Sequence, residues 1–112
     1  SARRSLEKAR TLLSEKNISV LLFAEGTRSE TGEIQKFKRG AFNLAGKVAH
    51  PIIPVTVNGS HKIMSKGSFK INKGTIHVHF DKPVPADNIK TRQDEIDLMN
   101  KVRDIIISNH TL

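Results

Sequence analysis

The sequence predicts an α/β domain in which helices flank a sheet. Three observations favour this class: two apolar runs over residues 18–23 and 52–57, a helical pattern between them, and further helical patterns at both ends of the chain. Strand, helix and strand in this order form a βαβ unit, which pairs the two strands in parallel through a right-handed crossover. We therefore expect a mixed sheet of about three to five strands with flanking helices.

The chain begins with an amphipathic helix and a buried strand. Ala2, Leu6, Ala9 and Leu13 lie on one face of a helix over about residues 2–16. The run that follows, residues 18–23, is apolar except for Ser19, which is typical of a strand covered on both faces. The polar residues 24–38 then form a loop that contains two glycines.

A second helix follows this loop. Its apolar stripe consists of Ala41, Leu44, Ala45 and Val48. It ends near His50, because the residue before Pro51 disfavours helical backbone angles. In the next strand Pro54 has no N–H to donate, which indicates an edge position or a bulge.

Two patterns predict the rest of the chain. Residues 75–80 alternate as a strand does, so that one set of side chains should point inward and the other outward. The inward set is Ile76, Val78 and Phe80, and the outward set is Thr75, His77 and His79. A short strand is also expected near residues 69–71. Thr91 and Asp94 have the spacing of a capping box, and a wide apolar stripe around Leu98 and Val102 follows on a terminal helix.

Length and composition restrict the function classes. The 112 residues make one domain or part of one, and no apolar stretch approaches the roughly 20 residues of a membrane-spanning helix. No cysteine is present, so disulfides and thiolate chemistry are excluded. Residues 1–82 hold 15 Lys or Arg against 6 acids, which favours an anionic partner, although a solvated basic face is the alternative. The chain has no Trp or Tyr, so it has few aromatic side chains on which nucleic-acid bases could stack.

Four polar residues and a glycine cluster where the first predicted strand ends. In parallel α/β sheets, ligands bind beyond the carboxyl ends of the strands. Gly26 lets a ligand approach the backbone, Thr27 and Ser29 offer hydroxyl donors, and Arg28 can bind a phosphate with two hydrogen bonds. Glu25 would repel phosphate, so its expected role is to orient Arg28 or to cap loop amides. The alternative is a polar loop with a structural ion pair.

Two further stretches could carry chemistry. Lys38, Arg39 and Gly40 precede the second helix, whose N–H groups could bind an anion, although a basic helix entry is the simpler interpretation. His77 and His79 share a strand face with Asp81, but Lys82 stands where a His-x-His-x-Asp-His metal site needs its last histidine. Solvent-facing histidines are therefore expected, and no metal.

Three blocks of the sequence resemble the glycerolipid acyltransferases, specifically the 1-acyl-glycerol-3-phosphate (lysophosphatidic acid) acyltransferases. The family pattern is Phe-Pro-Glu-Gly-Thr-Arg-Ser after a strand, Phe-Lys-x-Gly before a helix, and Ile-x-Pro-Val in a strand. The matching blocks are "FAEGTRS" from residue 23, "FKRG" from residue 37 and "PIIPV" from residue 51. Ala24 replaces the usual proline. The resemblance is firm over residues 18–57 and looser elsewhere.

The resemblance implies a function in phospholipid biosynthesis. Such enzymes transfer an acyl group from acyl-CoA or acyl-carrier protein to lysophosphatidic acid at a membrane surface, here expected on its cytoplasmic face, without a cofactor and without nucleic acid. The residues carried over as binding the acceptor phosphate are Glu25, Gly26, Thr27, Arg28, Lys38 and Gly40.

The family's His-x-x-x-x-Asp, whose histidine is the general base, is absent from these 112 residues. So is the Gly-x-Ile-x-x-x-Arg block expected just before Ser1. We therefore expect residues 1–112 to be the C-terminal part of one acyltransferase domain, with no catalytic residue of its own and no turnover alone. The alternative function is a non-enzymatic basic module that binds polyanions, either nucleic acid or an anionic lipid surface.

Overall fold

The computed structural model describes residues 2–15, 18–24, 34–63, 71 and 73–110. In chain order, these residues form α1 (Ala2–Glu15), α2 (Gly40–Val48), β1 (Val55–Asn58), the short α3 (Ser60–Ile63), β2 (His77–Phe80) and α4 (Arg92–Asn109). The predicted α/β class is confirmed. Within the described residues, no helix is both long and apolar enough to cross a lipid bilayer.

The three long helices form where the apolar periodicity predicts them. α1 ends within one residue of its predicted end, and α2 ends two residues before His50. Ala49 follows α2 in a left-handed conformation with φ 55°, and its N–H donates to the carbonyl of Ala45. This closing hydrogen bond satisfies one of the last carbonyls of the helix.

The capping box predicted at the start of α4 is present. The Thr91 hydroxyl accepts a hydrogen bond from the Asp94 N–H at 3.1 Å, and an Asp94 carboxylate oxygen accepts from the Thr91 N–H at 3.0 Å. The same oxygen accepts from the Lys90 N–H at 2.9 Å. Three of the N–H groups at this helix entry therefore have partners.

The sheet is smaller than the sequence indicates. β1 and β2 pair antiparallel, with Val55 opposite Phe80 and Asn58 opposite His77. A single antiparallel bridge between Ile52 and Val84 continues the pairing beyond the strands. The described residues thus hold two strands, where three to five were expected.

The predicted parallel pairing of residues 18–23 with residues 52–57 is not observed in the described part of the chain. Residues 18–23 form no strand there, and Leu21 and Phe23 are 73% and 83% exposed. Apolar residues alone do not make a strand, because a strand also needs a neighbour to accept and donate its backbone hydrogen bonds. No described segment pairs with residues 18–23 in this way.

The orientation predicted for residues 75–80 is wrong. Ile76, Val78 and Phe80 point away from the core and are at least half exposed. The polar face of the sheet is the one toward α4: Thr56 is 1% exposed, and the Asn58 side-chain amide donates to the carbonyl of Asn109 at 2.8 Å. Alternation identifies the two faces of a strand, but it does not say which face the rest of the chain covers.

One hydrophobic cluster joins four parts of the chain. It brings together the residues before α2, α2 itself, the segment after β2, and α4. Its buried members are Phe37, Phe42, Ala45, Val84, Ala86, Leu98 and Val102. Because these parts are far apart in sequence, this cluster sets the position of α2 relative to α4.

Two glycines permit close approaches around this core. Gly59 has φ +96°, and an added Cβ there would collide with the Thr75 carbonyl oxygen, so the end of β1 can lie against the start of β2 only with glycine. At Gly46 an added Cβ would lie 2.8 Å from the Cβ of Ile89, so this glycine lets α2 approach the segment before α4.

The capping box makes the folded chain less stable at acid pH. The Lys90 and Thr91 N–H groups hold the pKa of the Asp94 carboxyl below its ordinary value of 3.8. The carboxylate therefore stabilises the folded chain above the unfolded pKa, and this contribution is lost as pH falls through the lower folded pKa.

We expect Asp94→Asn to lower Tm at neutral pH and to flatten the fall of Tm below about pH 4, measured by circular dichroism. The control is Asp104→Asn on the exposed side of α4, and an unchanged acid slope in Asp94→Asn would contradict the assignment.

The outward apolar face predicts self-association of the 112-residue chain. Ile53, Val57, Ile76, Val78 and Phe80 are each more than 40% exposed on the sheet and the segment leading into it, and patches of this kind associate in water. The formal charge of +8 opposes this, so association should rise with ionic strength, as measured by analytical ultracentrifugation.

The matched variants for this measurement differ only in the face that receives a charge. Val78→Lys should keep the chain monomeric, whereas His77→Lys, on the opposite face, should leave the association unchanged. A chain that stays monomeric at high salt, or equal effects of the two variants, would count against the apolar face as the contact.

Candidate functional site

The residues on either side of segment 25–33 lie near the entry of α2. The Lys38 N–H donates to the carbonyl of Ala24 at 2.8 Å, so the end of the first apolar run meets the start of the second motif. Of the predicted site residues, Lys38 therefore lies beside Ala24, the residue that precedes the Glu-Gly-Thr-Arg motif, and Gly40 follows two residues later at the start of α2. The remaining ones lie outside the described residues, and they are Glu25, Gly26, Thr27, Arg28 and Ser29.

The entry of α2 is open to an anion. Gly40 is the first helical residue, and Arg39 before it has helical angles, with φ −76° and ψ −17°, but no side chain caps the helix. The Phe42 N–H donates to the Arg39 carbonyl at 3.1 Å, which leaves the N–H groups of Gly40 and Ala41 at the start of the helix, where the helix dipole favours negative charge. Lys38 and Arg39 are both exposed here, so two cations flank these donors.

A carboxylate from α4 orients the side chains of this entry. Arg39 Nε lies 3.6 Å from Glu95 Oε1, and the Asn43 side-chain amide donates to Glu95 Oε2 at 2.9 Å. The Glu95 side chain is only 16% exposed, so water screens this pair less than a surface pair. Glu95 thereby fixes Arg39 at the edge of the helix entry and ties α2 to α4.

A basic groove of about 380 Å³ runs between α1 and α2 and begins at Gly40. Its lining includes four cations and one carboxylate. The cations are Arg3, Arg10, Arg39 and Lys47. Glu7 lies 3.7 Å from Arg10, and both side chains are largely exposed, so the groove keeps an excess of positive charge. Lys38 is not among its lining residues.

Arg103 of α4 contacts the other flank of segment 25–33. Its Nε donates to the carbonyl of Gln35 and its Nη2 to that of Ile34, both at 3.2 Å, and its guanidinium lies 6.0 Å from the ring centre of Phe37. The Phe37 ring in turn stacks on Phe42 at 6.2 Å. Sequence reasoning did not identify Arg103. Its place beside the apolar stripe indicates partial burial, but a partner 68 residues away leaves no local pattern.

The histidines do not form a metal site in the part of the chain that the structure describes. No group of three metal-ligating side chains is found there. His79 Nε2 lies 3.5 Å from Asp81 Oδ2, and the same oxygen accepts a hydrogen bond from the Asn109 amide at 2.7 Å. Asp81 therefore serves to join the end of β2 to the end of α4.

Comparison with known proteins identifies the class of this protein: the chain belongs to the acyltransferase family. The family model for acyltransferases matches residues 1–58, which include α1, the segment 25–33 and α2. The resemblance found in the sequence is thereby confirmed.

The relatives are more specific than the family. A 1-acyl-sn-glycerol-3-phosphate acyltransferase of Limnanthes douglasii is 33% identical over 97% of this chain, and one named alpha from Homo sapiens is 35% identical over 87%. The chain spans 38% and 34% of the lengths of these two proteins. In fold it is similar to the 1-acyl-sn-glycerophosphate acyltransferase PlsC of Thermotoga maritima, with a TM-score of 0.77 over 96% of this chain and 41% of PlsC, at 23% identity.

The packing of Phe37 beneath the site predicts a large difference between two phenylalanine substitutions. Phe37 is 6% exposed and Phe80 is 69% exposed. Phe37→Ala should lower the free energy of unfolding by about 3–5 kcal/mol because it leaves a cavity next to Phe42. Phe80→Ala, the control, should change it by less than about 0.5 kcal/mol.

Urea unfolding followed by circular dichroism measures both differences. If Phe37→Ala leaves no folded chain, Phe37→Leu fills most of the space and keeps the comparison measurable. Equal effects at the two positions would show that Phe37 does not support this site.

Proposed function

We propose that residues 1–112 are the C-terminal part of an acyltransferase domain and supply its acceptor-phosphate site. The reaction is transfer of an acyl group from acyl-CoA or acyl-carrier protein to 1-acyl-glycerol-3-phosphate, which gives phosphatidic acid. The observation that carries this proposal is the hydrogen bond from the Lys38 N–H to the Ala24 carbonyl. It supports the proposal because Ala24, the residue before the Glu-Gly-Thr-Arg motif, lies next to a helix entry that suits an anion.

In this proposal, each residue of the site has a separate role. Arg28 binds the phosphate with two parallel hydrogen bonds, and Thr27 adds a hydroxyl. Gly26 lets the phosphate approach the backbone, and Glu25 orients the guanidinium. The entry of α2 adds the charge of Lys38 and the N–H groups at the start of the helix, the first of which belongs to Gly40.

The charge around the site supports an anionic acceptor. The phosphate of a lysophosphatidate carries negative charge, and the groove that begins at Gly40 contains four cations. Such a surface raises the local concentration of anionic ligands and would also attract anionic lipid headgroups. We therefore propose that the protein works at a membrane surface, on its cytoplasmic face. Family membership favours this function over a polyanion-binding module.

The proposed reaction also needs a general base. The acceptor hydroxyl attacks the thioester carbonyl, the thiol leaves, and a general base removes the hydroxyl proton. The family's base belongs to a His-x-x-x-x-Asp motif that these residues lack. The chain therefore binds and orients the acceptor, and another part of the protein supplies the base. The proposed reaction needs no cofactor.

Arg28→Ala is the variant that tests this function. Charge-assisted hydrogen bonds are worth about 1.5–3 kcal/mol, so we expect the affinity for glycerol 3-phosphate to fall roughly tenfold to a hundredfold. Isothermal titration calorimetry measures it on the purified chain, with glycerol as the ligand that lacks phosphate. Arg28→Lys keeps the charge but loses the fork, so it should recover only part of the affinity.

The control is Arg92→Ala, which removes the same charge from the exposed start of α4. A specific phosphate site predicts loss in Arg28→Ala alone. A diffuse basic surface predicts similar small losses in both variants and a steep decrease of affinity with salt. The second result would overturn the proposed site.

A further inference from the structure

Arg103 stands out among the groups that the proposed function does not use. It lies on α4, half-buried, and it ion-pairs with no carboxylate in the described part of the chain. Its guanidinium donates hydrogen bonds to two backbone carbonyls, those of Ile34 and Gln35. A charged group that is withdrawn from water in this way costs free energy, so its contacts call for a physical explanation.

The two carbonyls are the first ones after segment 25–33. On the other side of this segment, the Ala24 carbonyl accepts the hydrogen bond from the Lys38 N–H at 2.8 Å. Both flanks of the segment are thus held by hydrogen bonds, one of them local and one from a helix 68 residues further along the chain. Holding both ends lowers the conformational entropy that the residues between them must lose when they bind a ligand.

The shape of the guanidinium suits this task. Two N–H groups of one planar fork bind two consecutive carbonyls, and the plane lies 6.0 Å from the ring centre of Phe37. A lysine ammonium has a single nitrogen and no plane, so it cannot reproduce this arrangement. Phe37 is buried and stacked on Phe42, so the ring provides a fixed surface for the guanidinium.

We propose that Arg103 is a positioning residue for the acceptor-phosphate site. It holds the carbonyls of residues 34 and 35 and thereby fixes where the chain continues from segment 25–33 toward the entry of α2. It does not touch the acceptor. This inference rests on the proposed function, because it assigns to Arg103 the task of supporting the site proposed there.

The test uses the full-length acyltransferase that contains this chain. Arg103→Met keeps much of the length of the side chain without its donors, and Arg103→Lys keeps the charge without the fork. Arg92→Met, on the same helix and exposed, is the control. We expect Arg103→Met to raise KM for lysophosphatidate about tenfold with little change in KM for the acyl donor, and Arg103→Lys to recover only part of the loss.

A second readout follows the segment itself. Trypsin cleaves after Arg28, so the rate of cleavage at this position under native conditions reports how firmly the flanks are held. We expect faster cleavage in Arg103→Met than in Arg92→Met, with slowing of both by glycerol 3-phosphate. If Arg103→Met does not fold, Arg103→Gln, which keeps one donor, takes its place in both measurements.

Two outcomes would overturn the inference. One is a folded Arg103→Met enzyme with unchanged KM for lysophosphatidate, and the other is an equal rise of KM for both substrates. Failure of the proposed function is separate, because it would appear as an unchanged KM in Arg28→Ala. If Arg28→Ala raises KM and the Arg103 variants do not, the acceptor site stands and only the positioning role is wrong.

Discussion

The packing of α4 against Phe37 and Phe42 is the contact on which the rest of the structure depends. Leu98 and Val102 of α4 join the two rings in the one buried cluster of the described residues. Through this contact, the last helix of the chain holds the entry of α2 and the residues before it. Glu95, which precedes Leu98, and Arg103, which follows Val102, add polar contacts to the apolar ones. A single helix therefore both covers the core and orients side chains at the basic helix entry.

The local elements of this fold could be predicted because their causes are local. The apolar spacing that predicts α1 and α2 lies within a few helical turns, and so does the Thr91–Asp94 capping box. The structure confirms both helices and the capping box. The sheet was predicted less well because its pairing depends on distant segments. Residues 18–23 have the composition of a buried strand, but no described neighbour supplies the backbone hydrogen bonds that would make them one.

The same distinction applies to the site. Lys38 and Gly40 could be proposed as site residues from the sequence, because the resemblance depends on short blocks of residues. Glu95 and Arg103 could not be found, since each acts on residues more than 50 positions away. A carboxylate and a guanidinium on a helix surface have no pattern that distinguishes them from solvated charges. Only the fold shows that one orients Arg39 and the other contacts the backbone after segment 25–33.

The outward apolar face of β1 and β2 also affects how the stability of this chain depends on temperature. The heat capacity change of unfolding arises mainly from apolar surface that becomes newly exposed to water. Side chains such as Val78 and Phe80 already face water in the folded chain, at 51% and 69% exposure, so unfolding newly hydrates only the remaining part of each. The 112-residue monomer should therefore have a smaller heat capacity change than a well-covered domain of its length. Its free energy of unfolding then curves only gently with temperature.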